Sequence, residues 1–156
     1  VKQTCGEFDD KLKEKCLEMI VSLPTEPVYI EADPRRIWRV VENLFSNVCK
    51  YALEGTRVYL EIRRVRQDDR EIAVFTMKNI SAQALNIRAE ELTERFIRGD
   101  ISRSTEGSGL GLSIAQNLTT LQKGTFEIYL DGDLFKVQIG FSCLDAPQPE
   151  IEIQMR

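Results

Sequence analysis

The chain has 156 residues, and 42% of them are hydrophobic and 29% charged, the balance of an ordinary globular domain with a sizeable core. Its formal net charge of −4 argues against a general nucleic-acid binder, since such proteins are usually basic. The chain contains no histidine, which excludes Ser-His-Asp hydrolysis, Cys-His catalysis and most zinc chemistry. No run approaches the roughly 18 apolar residues that span a membrane, and the polar start is unlike a signal peptide.

Four cysteines are scattered along the chain without a CxxC pair: Cys5, Cys16, Cys49 and Cys143. Two of them lie in periodic apolar segments, so reduced thiols are favoured over a disulfide framework or a metal site.

The first third of the chain predicts two strands and a long helix. Apolar runs over residues 17–23 and 28–30 predict the strands. Asp33 can cap the free amides of a helix that starts at Pro34. The helix is expected to reach about Leu53 and to stop near Gly55.

The middle of the chain predicts a pair of strands and then a long irregular stretch. Alternating runs over residues 57–64 and 71–77 predict strands joined by a polar turn at 67–70. The irregular stretch covers residues 79–109 and contains one short helical segment near 89–96.

A second helix and a hairpin follow. The helix is predicted from Leu110 to Gln122, with Gly124 as its left-handed cap. Strands over residues 125–130 and 134–141 meet at Asp131-Gly132, a strong hairpin signal. This order predicts a single domain over residues 1–156 with a core at about 17–141. Its fold class is an α/β two-layer sandwich, a mixed, mainly antiparallel sheet covered on one face by helices.

The first predicted helix carries a polar stripe opposite its apolar face. At about 100° per residue, Asn43, Asn47 and Lys50 fall together, with Tyr51 at the edge. A generic solvated face is the simplest interpretation, but asparagine is a mediocre helix former. Asparagine carbonyls suit Mg²⁺, and a neighbouring lysine suits phosphate oxygens.

Glycines at 107, 109 and 111 open the second predicted helix. They leave backbone amides bare at its positive end, which favours phosphate. The segment is not a Walker A loop, because no Lys-Ser/Thr follows the last glycine. A dinucleotide-binding loop is also disfavoured, because residues 103–106 are too polar to be the strand that it requires.

Three segments together resemble the ATP-binding catalytic domain of bacterial sensor histidine kinases, within the gyrase, heat-shock chaperone, histidine kinase and mismatch-repair ATPase superfamily. Residues 41–52 look like the N box, 94–100 like the F box and 107–112 like the second glycine box. Their order and spacing agree with the family, and the resemblance covers about residues 17–141.

The resemblance implies roles for individual residues. Asn47 matches the Mg²⁺-binding asparagine, and Asn43 occupies the position of a general-base glutamate in gyrase-type ATPases. Lys50, Tyr51 and Arg98 match residues that reach the nucleotide phosphates, and Asn43, Lys50 and Arg98 are the expected catalytic set. The phosphate cradle is expected at Gly107, Gly109, Leu110, Gly111 and Leu112. An ATP lid is expected between the N box and the last helix, at about residues 92–108.

One motif of the family is missing. The first glycine box has an aspartate that accepts from the adenine amino group, and Asn79 stands at that position with both following glycines lost. An asparagine can accept from adenine, or donate to guanine by turning its amide over, so weaker base selectivity is expected.

The resemblance implies an enzyme that binds ATP and Mg²⁺ and transfers the γ-phosphoryl group to a histidine. That histidine would lie on a separate dimerisation domain of the same sensor protein, absent from this chain, with a response regulator downstream. No nucleic-acid partner and no direct membrane contact are expected for this cytoplasmic domain, whose parent is expected to be membrane-anchored. Two alternatives stay open: a gyrase-type ATPase domain, disfavoured by asparagine at 43, and a degenerate nucleotide-binding module.

Overall fold

The computed structural model describes residues 2–85 and 111–145, and these residues form three helices and six strands. The predicted short helix near 89–96 and the predicted lid lie outside the described residues. In chain order the elements are α1 (Lys2–Glu14), β1 (Glu18–Ser22), β2 (Tyr29–Ile30), α2 (Pro34–Tyr51), β3 (Arg57–Gln67), β4 (Arg70–Ile80), α3 (Gly111–Thr120), β5 (Thr125–Asp131) and β6 (Leu134–Leu144).

The strands form one mixed sheet. The order is β1-β3-β4-β6-β2, and β5 also pairs with β6. The β1–β3 pair is parallel, whereas the other pairs are antiparallel. The predicted fold class, a mainly antiparallel sheet with helices on one face, is therefore confirmed.

Side chains along each strand point alternately to the two faces of the sheet, and the apolar ones form its inner face. Leu60 of β3, Met77 of β4 and Val137 of β6 are register partners, and all three are buried. The apolar stripe of α2 packs against this face through its buried residues Val40, Val41, Leu44, Phe45 and Val48. Each large apolar side chain buried here contributes about 1.5–3 kcal/mol, so this helix–sheet contact holds the fold together.

Helix α1 was not predicted from the sequence. It adds Phe8 and Leu12 to the core, and the Phe8 ring lies 5.3 Å from that of Phe45 between centroids. The helix ends in a Schellman motif, in which Cys16 N donates to Lys13 O and Leu17 N donates to Leu12 O. Cys16 occupies the left-handed position with a φ of 52°.

The end of α3 corrects one expectation. The left-handed residue is Lys123, with a φ of 62°, and not Gly124. Lys123 N donates to Thr120 O and Gly124 N to Thr119 O, again a Schellman motif. Gly124 is needed for a close approach instead, because a Cβ there would lie 2.7 Å from the Phe141 ring.

Both hairpins have two-residue turns, shorter than the sequence predicted. Asp68 and Asp69 join β3 to β4 with φ values of 48° and 63°. Gly132, with a φ of 56°, and Asp133 join β5 to β6. The strands therefore extend beyond their predicted ends and lengthen the sheet. No helix among the described residues is long and apolar enough to span a membrane.

Candidate functional site

The N-terminal end of α2 is fixed as predicted. The Asp33 side chain accepts from Arg35 N at 2.8 Å and from Arg36 N at 3.2 Å, and Pro34 occupies the first helical turn. The Asp33 backbone amide donates to Gln122 Oε1 beyond the end of α3, at 2.7 Å. These bonds satisfy groups that a helix start leaves free, and they set the direction of the helix.

The apolar stripe of α2 packs against the sheet, so the polar stripe on the opposite side of the helix faces away from the sheet. Asn43 and Asn47 are half-buried, and Lys50, one turn further, is exposed. Tyr51 is the last residue of the helix and is half-buried. Among the described residues, the Asn47 and Lys50 side chains make no hydrogen bond or ion pair that would occupy them. The stripe therefore presents an amide and an ammonium that can bind a ligand.

The C-terminal end of α2 is bonded to the end of β4. Leu53 N donates to Ile80 O at 2.8 Å, and Ala82 N donates to Tyr51 O at 2.8 Å. Ala52 and Ser81 form a β-bridge between these two bonds. The last turn of α2, which carries Lys50 and Tyr51, is thus held beside the segment that carries Asn79.

Asn79 has the most unusual environment among the described residues. The residue is only 3% exposed, and its Nδ2 donates to Ile80 O at 3.2 Å. Its Oδ1 is buried, and no residue that the structure describes donates a hydrogen bond to it. A buried acceptor without a donor costs about 1–3 kcal/mol, so an unpaired one calls for a ligand or a water.

The first turn of α3 packs against the polar stripe. A Cβ on Gly111 would lie 3.2 Å from Asn43 Oδ1, so the absence of a side chain permits this approach. Asn43 Nδ2 donates to Arg39 O at 2.7 Å, which directs Oδ1 toward α3. Gly111 of α3 and the α2 stripe therefore lie close together. Backbone amides in the first turn of a helix favour an anion.

Other predicted residues differ in how the structure places them. Leu112 is 2% exposed and its side chain lies in the core, so only its backbone could contact a ligand. Arg98, Gly107, Gly109 and Leu110 lie outside the described residues.

Lys15 was not identified by any pattern in the sequence. This half-buried residue follows α1, and its Nζ lies 3.4 Å from Lys50 O at the C-terminal end of α2. Its own carbonyl accepts from Gly55 N at 3.1 Å. A cation at a helix C-terminus is stabilising, so Lys15 supports the turn that presents Lys50.

The chemistry of the donors limits which metal could bind. Within the described ranges no group of three or more His, Cys, Asp or Glu could hold a metal ion. Cys16, Cys49 and Cys143 are free thiols, and burial raises the pKa of Cys49 above its ordinary value. The Asn47 carbonyl remains as a hard oxygen donor, which fits a cation such as Mg²⁺ that takes one or two protein ligands together with substrate phosphates.

Comparison with known proteins identifies the family of this chain. The family described as histidine kinase-, DNA gyrase B-, and HSP90-like ATPase matches residues 32–144. Sensor histidine kinase WalK of Bacillus subtilis is 32% identical over 114 residues, which are 72% of this chain and 18% of that protein. The chain thus spans less than a fifth of this relative's length.

Solved structures of histidine kinases share the fold. The nucleotide-free catalytic domain of histidine kinase ThkA matches with a TM-score of 0.69 at 20% identity, covering 90% of this chain and 88% of that one. Full-length ShkA in complex with AMPPNP matches with a TM-score of 0.69 at 21% identity, covering 94% of this chain and 30% of that one. The chain therefore belongs to the histidine kinase-, DNA gyrase B-, and HSP90-like ATPase family, as an ATP-binding catalytic domain of the sensor histidine kinase type.

Proposed function

We propose that this chain binds Mg-ATP and transfers the γ-phosphoryl group to a histidine on a dimerisation domain of the same sensor protein. The observation that carries the proposal is that, within the described part of the chain, the buried Oδ1 of Asn79 has no hydrogen-bond partner and the Asn47 and Lys50 side chains of α2 are unpaired. Asn79 Oδ1 could accept a hydrogen bond from a base, and the Asn47 amide and the Lys50 ammonium could bind Mg²⁺ and phosphates.

Asn79 is the proposed adenine reader. The exocyclic amino group of adenine is a donor that would satisfy Oδ1. The carbonyl of Ile80 already accepts from Leu53 N and holds the Asn79 amide in one orientation. Turning the amide over would place Oδ1 against Ile80 O and leave Nδ2 without an acceptor. The observed orientation is therefore favoured, and in it Oδ1 can accept a hydrogen bond from the base. Selectivity for adenine over guanine is then retained, although with a neutral acceptor instead of a carboxylate.

Asn47 and Lys50 are the proposed phosphate-side residues. Asn47 would supply an oxygen ligand to Mg²⁺, which neutralises charge on the phosphate oxygens. Lys50 and Tyr51, both on the last turn of α2, are proposed to contact the phosphates directly. The start of α3 at Gly111 adds backbone amides, and we extend this cradle to Gly107, Gly109, Leu110 and the backbone of Leu112. Arg98 is proposed to approach the γ-phosphate.

The reaction class follows from residue 43. Gyrase-type ATPases have a glutamate there to activate water, whereas Asn43 cannot act as a general base. Asn43 instead positions the start of α3, through the contact with Gly111. The nucleophile is external, because the chain has no histidine. Catalysis is therefore positioning and charge neutralisation, with the chain inactive in the absence of its phosphoacceptor domain.

The wider setting follows from the named relatives. WalK and other relatives are named as sensor histidine kinases, which supports a response regulator as the downstream partner. We propose a cytoplasmic location for this domain and a membrane-anchored parent protein.

Phosphotransfer to a supplied histidine-bearing dimerisation domain tests the proposal. Radiolabelled ATP and Mg²⁺ should label that domain with a phosphate that is stable in base and lost in acid. This chain alone should remain unlabelled, and a dimerisation domain with its histidine replaced by glutamine should also remain unlabelled. Label on this chain, or rapid ATP hydrolysis without transfer, would overturn the proposal.

A second candidate is a nucleotide-binding module without kinase activity. The loss of both glycines after Asn79 favours it, since the two glycine positions of the box hold Ser81 and Gln83 here. Saturable Mg-ATP binding without any transfer to a competent histidine domain would identify this candidate.

A further inference from the structure

An apolar pocket lies between the first half of α2 and the inner face of the sheet. Its volume is about 160 Å³. Ten residues line it, all with apolar side chains: Val28, Ile30, Ile37, Val40, Val41, Ile62, Ala73, Phe75, Ile139 and Phe141. None of them belongs to the polar stripe, because the α2 members lie on the opposite, sheet-facing side of that helix. The pocket is therefore separate from the proposed nucleotide site.

Two features of the sequence leave this space open. Strand β2 is only two residues long and pairs with β6 only through Tyr29 and Ile30. The sheet is therefore extended by only a short strand at this edge, beside the pocket. Ala73 of β4 faces the pocket, and its short side chain leaves space beside its register partner Phe141.

Arg64 does not fill the space. It is the register partner of Ala73 on β3, yet its guanidinium donates to Pro27 O and lies 3.7 Å from the Glu71 carboxylate. Arg64 thus holds the segment that leads into β2, and its charge is already paired. A carboxylate ligand would have to compete with Glu71 for it.

The lining decides what could occupy the pocket. The pocket is partly open to solvent, and its ten lining side chains are all apolar. Water inside it finds no polar side chain to hold it, so an apolar molecule that displaces this poorly held water gains free energy by burying apolar surface. From this volume and lining we propose that the pocket binds a small neutral molecule with one aromatic ring, of benzene or toluene size.

Toluene titrated into the full chain tests the site. Binding at ten times Kd corresponds to about 1.4 kcal/mol, which should raise the melting temperature by about 3–6 °C. Methyl resonances of Val28, Ile30 and Val40 should shift with the same saturation curve. Ala73→Val adds two methyl groups to the pocket and should weaken toluene binding at least about fivefold. Leu121→Ala is the matched control, since Leu121 is 69% exposed and lies outside the pocket lining, and it should leave binding unchanged.

Three results would overturn the proposal. The first is no thermal or methyl shift in the unmodified protein near the solubility limit of toluene. The second is a set of toluene-induced methyl shifts that spread over the protein surface and disappear in Leu121→Ala, since toluene would then bind outside the pocket. The third is benzoate binding as tightly as toluene, which would show that the ligand class is acidic. Methyl shifts of the unmodified protein decide the matter even if Ala73→Val does not fold, and no step requires ATP.

Discussion

The two ends of α2 are built in opposite ways. At the N-terminal end, the Asp33 side chain accepts two backbone amides and its own amide donates to Gln122. At the C-terminal end, the Asn47 and Lys50 side chains are unoccupied within the described part of the chain, and the nearby Asn79 Oδ1 is buried without a donor. The N-terminal cap is bonded within the chain, whereas near the C-terminal end the polar side chains of Asn47 and Lys50 are available within the described residues.

The difference separates stability from binding along one helix. A satisfied cap contributes about 0.5–2 kcal/mol to stability, whereas a buried unpaired acceptor costs about 1–3 kcal/mol. A fold gains nothing from such a cost unless a ligand later satisfies the group. Substitutions at the N-terminal end should therefore change stability, and those at the C-terminal end should change ligand binding.

The largest expected effect is at Asn47. Asn47→Ala removes an oxygen ligand from a cation that accepts few substitutes. ATP affinity in the presence of Mg²⁺ should fall at least about tenfold. Removing a residue that only supports a metal ligand already lowers metal affinity or activity by about tenfold or more, and Asn47 is proposed as a ligand itself. Isothermal titration with and without Mg²⁺ measures it, and the variant should show little dependence on the cation.

The matched control for Asn47 is Asn117→Ala. Asn117 is also a helical asparagine, but it is exposed on α3. Its replacement should leave both ATP affinity and Mg²⁺ dependence unchanged. An Asn47→Ala protein that keeps its full Mg²⁺ dependence would remove the stripe from the proposed site.

The opposite result is expected at the other end of the helix. Asp33→Ala deletes the cap and should lower the free energy of unfolding by about 0.5–2 kcal/mol, measured by urea denaturation. ATP affinity of the folded protein should remain as it was. Glu42→Ala on the exposed side of the same helix is the control and should have a smaller effect. A loss of ATP affinity in Asp33→Ala, without a loss of stability, would contradict the division between the two ends.

Asn79→Asp should sharpen base selection. A hydrogen bond to a charged acceptor contributes about 1.5–3 kcal/mol, against about 0.5–1.5 kcal/mol for a neutral one. The ratio of ATP to GTP affinity should therefore rise by about fivefold in competition binding. The carboxylate would also face Ile80 O, so the nucleotide-free variant should be less stable than the parent. An unchanged ratio would show that Asn79 does not read the base.

The sequence predicted the elements that have strong local signals. Helix α2 has a long periodic stripe and an aspartate cap, and both are present at the predicted positions. The polar stripe of α2 could be predicted from helical spacing, which is a local property of the sequence. Asn79 could be proposed for the aspartate position of the first glycine box from the order of the motifs along the chain. Helix α1 was missed, because among its described side chains only Phe8 and Leu12 reach the core, too few for a clear period.

Features set by tertiary contacts could not be predicted. The orientation of Asn79 depends on Ile80 O, whose position is fixed by Leu53 from another element. Lys15 approaches Lys50 O from a turn 35 residues away in sequence. The left-handed position after α3 was assigned to Gly124, but it is occupied by Lys123, because the hydrogen bonds that close the helix run from Lys123 N and Gly124 N.

The smallest expected effect is at Lys123, near the satisfied end of α2. A side chain in the left-handed region costs about 1–2 kcal/mol, and glycine avoids this but loses about 0.5–1 kcal/mol through its flexible unfolded state. Lys123→Gly should therefore raise the free energy of unfolding by about 0.5–1 kcal/mol and the melting temperature by about 1–4 °C. Lys123→Ala removes the same charge without tolerating a positive φ, so it should not stabilise the protein. If both variants are stabilised equally, the gain comes from the lost charge, and the backbone conformation of residue 123 carries no strain.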